Sequence, residues 1–181
     1  MTGQVLALLL AATIPAGAFV VDPAASTIRY TIVHKLHRVE AVSKEIEGKA
    51  VVNADGGALA MVRVPASSFR SGDGNRDGHV LEAVEAGKYP FVVVKGRASL
   101  GRDRALSAGP LRLEGELEFH GVKTPLDVPL TLEVMPDGSL RARGAFDASL
   151  DRHQVERPSL LFVKIDDTCH VELDLVLRSG R

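Results

Sequence analysis

The sequence predicts an all-β protein: an eight-stranded antiparallel β-barrel with one short helix in a connector. Three observations carry that expectation. After Pro23 apolar and polar residues alternate with period two almost throughout, the pattern of strands with one buried face. Turn clusters such as Asn53-Ala54-Asp55-Gly56-Gly57 and Pro136-Asp137-Gly138 interrupt the alternation. Only the interval from Ser67 to Lys88 abandons it for a helical spacing. The same pattern also suits a two-sheet sandwich, which is the competing architecture.

Length and composition bound the rest. A chain of 181 residues fits one domain and is long enough to bury a core without disulfides or metal. Its net charge of −1 comes from interspersed acids and bases, which leaves no electrostatic footprint for nucleic acid or an anionic membrane. Aromatic residues make up 4% and Trp is absent, so stacking platforms for bases and aromatic cages for sugars lack raw material.

The first 21 residues carry no charged side chain. The run from Val5 to Ala12 has the length of a signal-peptide core and is too short to span a bilayer. Pro15 breaks it, and Ala16-Gly17-Ala18 supplies a small-x-small cleavage pattern. The expectation is a signal peptide over residues 1–18, cleavage after Ala18, and a periplasmic or secreted barrel domain over 19–181. The n-region departs from the usual pattern in having no Lys or Arg, and a buried N-terminal strand is the alternative.

The first strand read from the sequence places Ile28, Tyr30 and Ile32 on one face, with His34 in phase. Ile46, Gly48, Ala50 and Val52 form a second inward row, and Ala60, Val62 and Val64 a third, stopped by Pro65. In the interval that follows, Asn75 and Asp77 are candidate N-caps, and Val80, Leu81 and Val84 follow helical spacing. A short helix from about Gly78 to Ala86 is predicted across one end of the barrel, with Gly87 in the left-handed position just past it. Strands resume at Phe91. The clearest alternation runs through Leu111, Leu113, Gly115, Leu117 and Phe119. A turn at His120–Thr124, with Gly121 free to take positive φ, leads back through Leu126, Val128, Leu130, Leu132 and Val134. Leu140, Ala142, Gly144, Phe146 and Ala148 follow, and Cys169, Val171, Leu173, Leu175 and Leu177 complete the set.

Five stretches resemble the YceI-like family of exported, lipocalin-like lipid-binding barrels. They are Asp22-Pro23-Ala24-Ala25-Ser26, the His-containing segment Val33-His34-Lys35-Leu36-His37, Asn75-Arg76-Asp77-Gly78-His79, Lys88-Tyr89-Pro90, and Gly115 to Pro125 with its Gly121-Val122 pair. Each is weak alone; their order covers nearly the whole chain after Ala18. The resemblance implies a hydrophobic tunnel for an isoprenoid chain, polyprenyl or quinone-like, and no catalytic residues. Two segments depart from the family pattern, Glu82–Gly87 and Arg157–Asp167, and both fall where a tunnel mouth is expected.

The candidate lining is Ile28, Tyr30, Ile32 and His34, then Ala50, Val62 and Val64, then Phe91, Val93, Leu117 and Phe119. Val128, Leu130, Phe146, Val171 and Leu173 complete it. Such walls offer non-directional contacts of about 0.8 kcal/mol per buried methylene. The same side chains equally suit a close-packed core with no ligand, and a purely structural module stays open. The partners expected are an apolar lipid, no nucleic acid and no stable membrane insertion, with a homodimer allowed.

Other chemistry is thinly represented. His34 and His37 lie three apart, and His79, His120 and His153 are separate; no spacing fixes a metal geometry, so no metal and no cofactor are expected. Cys169, the only cysteine, shares phase with Val171 and reads as buried, while His170 points the other way. An exported enzyme or redox-stress protein using His34, His79 or Cys169 is the alternative function. Arg76 and Asp77 read as an ion pair fixing the connector to the rim, with Asp77 also capping the helix; Arg76 and Lys88 at a ligand head group are the alternative.

Overall fold

In the computed structural model, which describes residues 13–34, 37–101, 111–157, 159–160 and 163–180, the chain is built of strands and one α-helix. The strands are β1 (Gly17–Val21), β2 (Thr27–His34), β3 (His37–Ser43), β4 (Glu47–Val52), β5 (Gly57–Pro65) and β6 (Phe91–Ser99). After them come β7 (Leu111–Phe119), β8 (Val122–Val134), β9 (Leu140–Ser149), the short pair β10 (Ser159–Leu160) and β11 (Val163–Lys164), and β12 (Thr168–Ser179). The helix α1 (Gly74–Ala83) lies between β5 and β6.

Eight strands form a closed antiparallel ring: β1, β4, β5, β6, β7, β8, β9 and β12, with β1 pairing both β4 and β12. The fold class holds, yet the ring is not the one read from the sequence. β1 takes the place expected of β2. The hairpin β2–β3 is additional and pairs with β12 along Cys169–Asp174, while β1 takes the same edge of β12 further on, at Leu177–Ser179. The free edge of β3 meets the connector through one bridge, Val42 to Arg70, and a 2.6 Å bond between the Ser43 and Ser68 hydroxyls.

The strand registers sort the connections into two ends. One end carries the β2–β3 hairpin, the β5–β6 connector with α1, the β7–β8 turn and the β9–β12 loop; the other carries the β4–β5 and β8–β9 turns. We call them the α1 end and the turn end. At the turn end Ile14, Phe19, Leu140 and Leu177 are buried in one cluster. Gly17 and Ala18, expected within a leader, pair with Val52 and Val51. The expected leader core, 5–12, lies outside the described residues.

The helix begins four residues earlier than expected. Its N-cap is Asp73, whose carboxylate accepts from the Asn75 and Arg76 amides at 3.0 and 3.1 Å. Asp77 instead accepts from the Ser71 amide and hydroxyl, and Arg76 lies 3.5 Å from Asp73, so the expected Arg76–Asp77 pair does not form. At the other end the left-handed residue is Glu85 (φ 45°), not Gly87. The Glu85 amide donates to the Glu82 carbonyl and Ala86 to Leu81, a Schellman closure. Glu85 holds that strained conformation while its carboxylate pairs with His120 at 2.8 Å.

Candidate ligand tunnel

The ring encloses a cavity of about 1250 Å³ running from α1 to the strand ends near the β8–β9 turn. Its wall is aliphatic because successive strands turn Ile, Val, Leu and Ala inward in register. Val62 of β5 faces Val94 of β6, which faces Leu117 of β7. Small residues keep the middle open: Ala50, Ala60 and Ala142 all reach the cavity. Gly96 and Gly115, directly paired across β6 and β7, bring the two backbones so close that a Cβ on Gly115 would stand 1.9 Å from the Lys95 carbonyl oxygen.

Of the sequence-derived lining residues whose side chains are described, all but Phe91 and Val93 border this cavity. Ile28, Tyr30 and Ile32 come from β2; Ala50, Val62 and Val64 from β4 and β5; Leu117, Phe119, Val128, Leu130 and Phe146 from β7 to β9; Val171 and Leu173 from β12. The backbone of His34 closes the β2–β3 ladder opposite His37, and its side chain lies outside the described residues.

Phe91 and Val93 are a correction. Val92 and Val94 face the cavity instead, and Phe91 lies outside with the Arg63 guanidinium 4.8 Å from its ring centre. The run Phe91–Val94 is apolar on both faces, so alternation within it has no phase. Lys95 and Arg97 further along the strand carry the missing signal, since charged residues at odd positions put Phe91 and Val93 outside with them.

The α1 end holds the residues the alternation did not reveal. Arg76, His79, Glu82 and Val84 of the helix region border the cavity, with Arg38 and Val39 of β3, Phe69 of the connector, and Glu156 and Arg157 of the β9–β12 loop. Arg157 is held by Asp151 at 2.6 Å and donates to the Ile165 carbonyl. Tyr30 packs against Phe69, ring centres 5.2 Å apart, and burial pushes its phenol up to about 12. Burial, then the Asp147 charge, raises the Cys169 thiol to about 12 as well.

The motif residues brace this rim. His120 and Gly121 both take positive φ (51° and 73°) and close β7–β8 as a two-residue turn. The His120 ring spans the His153 carbonyl (2.9 Å from Nδ1) and the Glu85 carboxylate, with Tyr89 edge-on at 4.8 Å. His153 is itself buried against the Ser149 carbonyl and the Thr124 hydroxyl. His170 bonds Asp147 at 2.6 Å on the outer face, away from Cys169. Among the described residues no cluster of three or more His, Cys, Asp or Glu is placed to hold a metal ion, and no helix is long and apolar enough to cross a membrane.

Comparison with known proteins agrees with this architecture. BcnA of Burkholderia cenocepacia superposes with a TM-score of 0.72 at 19% identity, over 86% of this chain and 98% of its own. A polyisoprenoid binding domain from Saccharophagus degradans, implicated in plant cell wall breakdown, gives 0.73 at 16% identity, over 92% and 100%. A YceI protein of Campylobacter jejuni gives 0.63 at 12%, over 82% and 89%. No curated protein matches in sequence. The model of the YceI-like domain matches residues 19–177, and the chain belongs to the YceI-like family.

Proposed function

We propose that this protein binds a lipid chain, isoprenoid in character (polyprenyl or quinone-like), inside the barrel, and sequesters or carries it. The observation that carries the reading is the aliphatic cavity of about 1250 Å³, larger than a side-chain-filled core leaves and ample for a drug-sized ligand of roughly 300–1,000 Å³. The Saccharophagus neighbour, named for polyisoprenoid binding, supports it. Mass spectrometry of lipids extracted from purified protein tests it. A reproducible long-chain species is expected; a barrel that stays empty and rejects added isoprenoid chains overturns it.

The role is binding rather than catalysis. A thiol raised to about 12 stays protonated at neutral pH and is a poor nucleophile. Its strand neighbour His170 faces outward.

We further propose export to the periplasm or beyond, with cleavage after Ala18. That cut leaves Phe19–Val21 paired with β12 but removes Ile14 from the turn-end cluster. Intact mass of the secreted protein checks it: a chain beginning at Phe19 is expected, and one that retains Ile14 rules out this cleavage site.

A further inference from the structure

Among the described residues the tunnel is polar at one end only. At the turn end the described residues on its wall include Val52, Leu100, Leu132, Leu140 and Leu177, all aliphatic. At the α1 end it meets Arg38, Arg76, His79, Glu82, Glu156 and Arg157. The other charged residue on the wall, Lys49, is exposed on the outer face between Gly48 and Ala50.

Two of the three arginines at that end are engaged at close range. Arg38 holds Glu40 at 2.6 Å and Arg157 holds Asp151 at 2.6 Å. Arg76 is different: its contact to Asp73 is 3.5 Å, and its side chain is only 41% exposed. Tyr30 lines the same cavity, and the charges of Asp77 and Arg76 both act on its phenol. Among the described residues the Tyr30 hydroxyl makes no hydrogen bond, and the residue borders the cavity. Tyr30 is half-buried and its hydroxyl is not a fully buried unpaired atom, so it is a donor available to a ligand acceptor within the cavity. The two acids at this end, Glu82 and Glu156, are exposed, so the inner surface offers donors rather than acceptors.

We propose that the α1 end is a head-group site, and that the ligand is a single-headed amphiphile with acceptor oxygens bound against Tyr30 and Arg76. His79 lies at the outer edge of the site, and the tail runs toward Leu132 and Leu140. This rests on the lipid-binding reading and adds to it an orientation and a class of head: an oxygen acceptor, either an anionic carboxylate or a neutral quinone carbonyl.

Three chains of equal isoprenoid length test it by displacement of a fluorescent apolar probe: a carboxylic acid, a benzoquinone and a headless hydrocarbon. Tyr30→Phe is expected to weaken the acid and the quinone about ten-fold, the value of one net hydrogen bond, and to leave the hydrocarbon unchanged. Arg76→Gln separates the two sources, weakening the acid more than the quinone if the head is anionic and neither selectively if it is neutral. Equal losses for all three chains in Tyr30→Phe, or no loss for the headed ones, overturn the head site while lipid binding stands. If none of the three binds the unaltered protein, both readings fall.

Orientation has its own readout, because the chain contains no Trp. In Leu132→Trp the lone indole stands near the tunnel floor. An acid brominated at its far end is expected to quench it, and one brominated beside the carboxylate is not. The reverse pattern overturns the orientation.

Discussion

Tyr89 lies so close over Gly121 that a Cβ on the glycine would stand 2.4 Å from the ring's Cε1. Two motifs far apart in sequence thus meet in one contact, which pins the α1 connector to the β7–β8 turn. Gly121 also takes φ 73°, where a side chain costs about 1–3 kcal/mol. Gly121→Ala therefore faces backbone strain and the ring together. A lowered melting temperature is expected, with more rapid amide exchange in α1 than in β9.

The paired glycines of β6 and β7 differ sharply from those of the helix. Gly115→Ala drives a Cβ against the Lys95 carbonyl and, at 2.6 Å, the Gly96 Cα. Neither is a flexible side chain that can swing away. A loss above about 4 kcal/mol is expected, in the exceptional range for one substitution. At Gly78, within α1, nothing lies within 4 Å of an added Cβ, so Gly78→Ala should stabilise by about 0.5–1 kcal/mol. Urea denaturation of both variants measures the contrast.

Acid should loosen the turn end. The Asp137 carboxyl is lowered to about 2, first by the Ser139 hydroxyl and amide and then by Arg178. Arg178 also holds Asp22, lowering that carboxyl too. A carboxyl depressed from 3.8 stabilises the fold above that value and ceases to do so as pH falls through its folded value. Hydrogen exchange at the β8–β9 turn should rise between about pH 4 and pH 2. In Asp137→Asn that pH dependence should be absent from the turn.

Filling the cavity separates binding from folding. Ala50 borders the open middle of the tunnel, so Ala50→Phe adds a ring where there is space rather than a packed neighbour. The expected result is loss of copurified lipid, with a melting temperature at or above that of the unaltered protein. Retention of lipid at the original stoichiometry goes against the tunnel as its location.

Cys169 offers an independent measure of occupancy. Its thiol borders the tunnel and is raised to about 12, so alkylation at pH 8 should be far slower than for a free thiol, because reactivity follows the thiolate fraction. A bound chain should slow it further, and stripping the lipid should restore the rate.

The barrel was legible because most of its strands have one face in solvent, which imposes strict alternation, as in Leu111–Phe119 against Arg112–Glu118. β6 misled where that asymmetry fails: Phe91 to Val94 are apolar on both faces, and phase had to come from Lys95 and Arg97. β3 went unread because the residues joining it to β2 are Lys35 and Leu36, neither of which signals a turn. β1 was hidden in an apolar stretch that also suits a leader. The α1 end was legible only in part: a short helix across one end of the barrel was expected, with Arg76 at a ligand head group as the alternative reading. Arg76 and His79 on a short polar helix look like a solvated face, and only the packing of α1 over the ring turns them toward the tunnel.

The handover of one edge of β12 from β2 to β1 makes the two rims mechanically unequal. Toward the turn end β1 is joined by ladders to both β4 and β12. At the α1 end the circuit is completed by the clasp between Val42 and Arg70, aided by Ser43 and Ser68. The β9–β12 seam carries ten paired residues, from Thr168 opposite Ser149 to Leu177 opposite Leu140; the clasp is a single bridge. Under strain the weaker seam parts first. The protein is thus a sleeve with a riveted base and a buttoned collar.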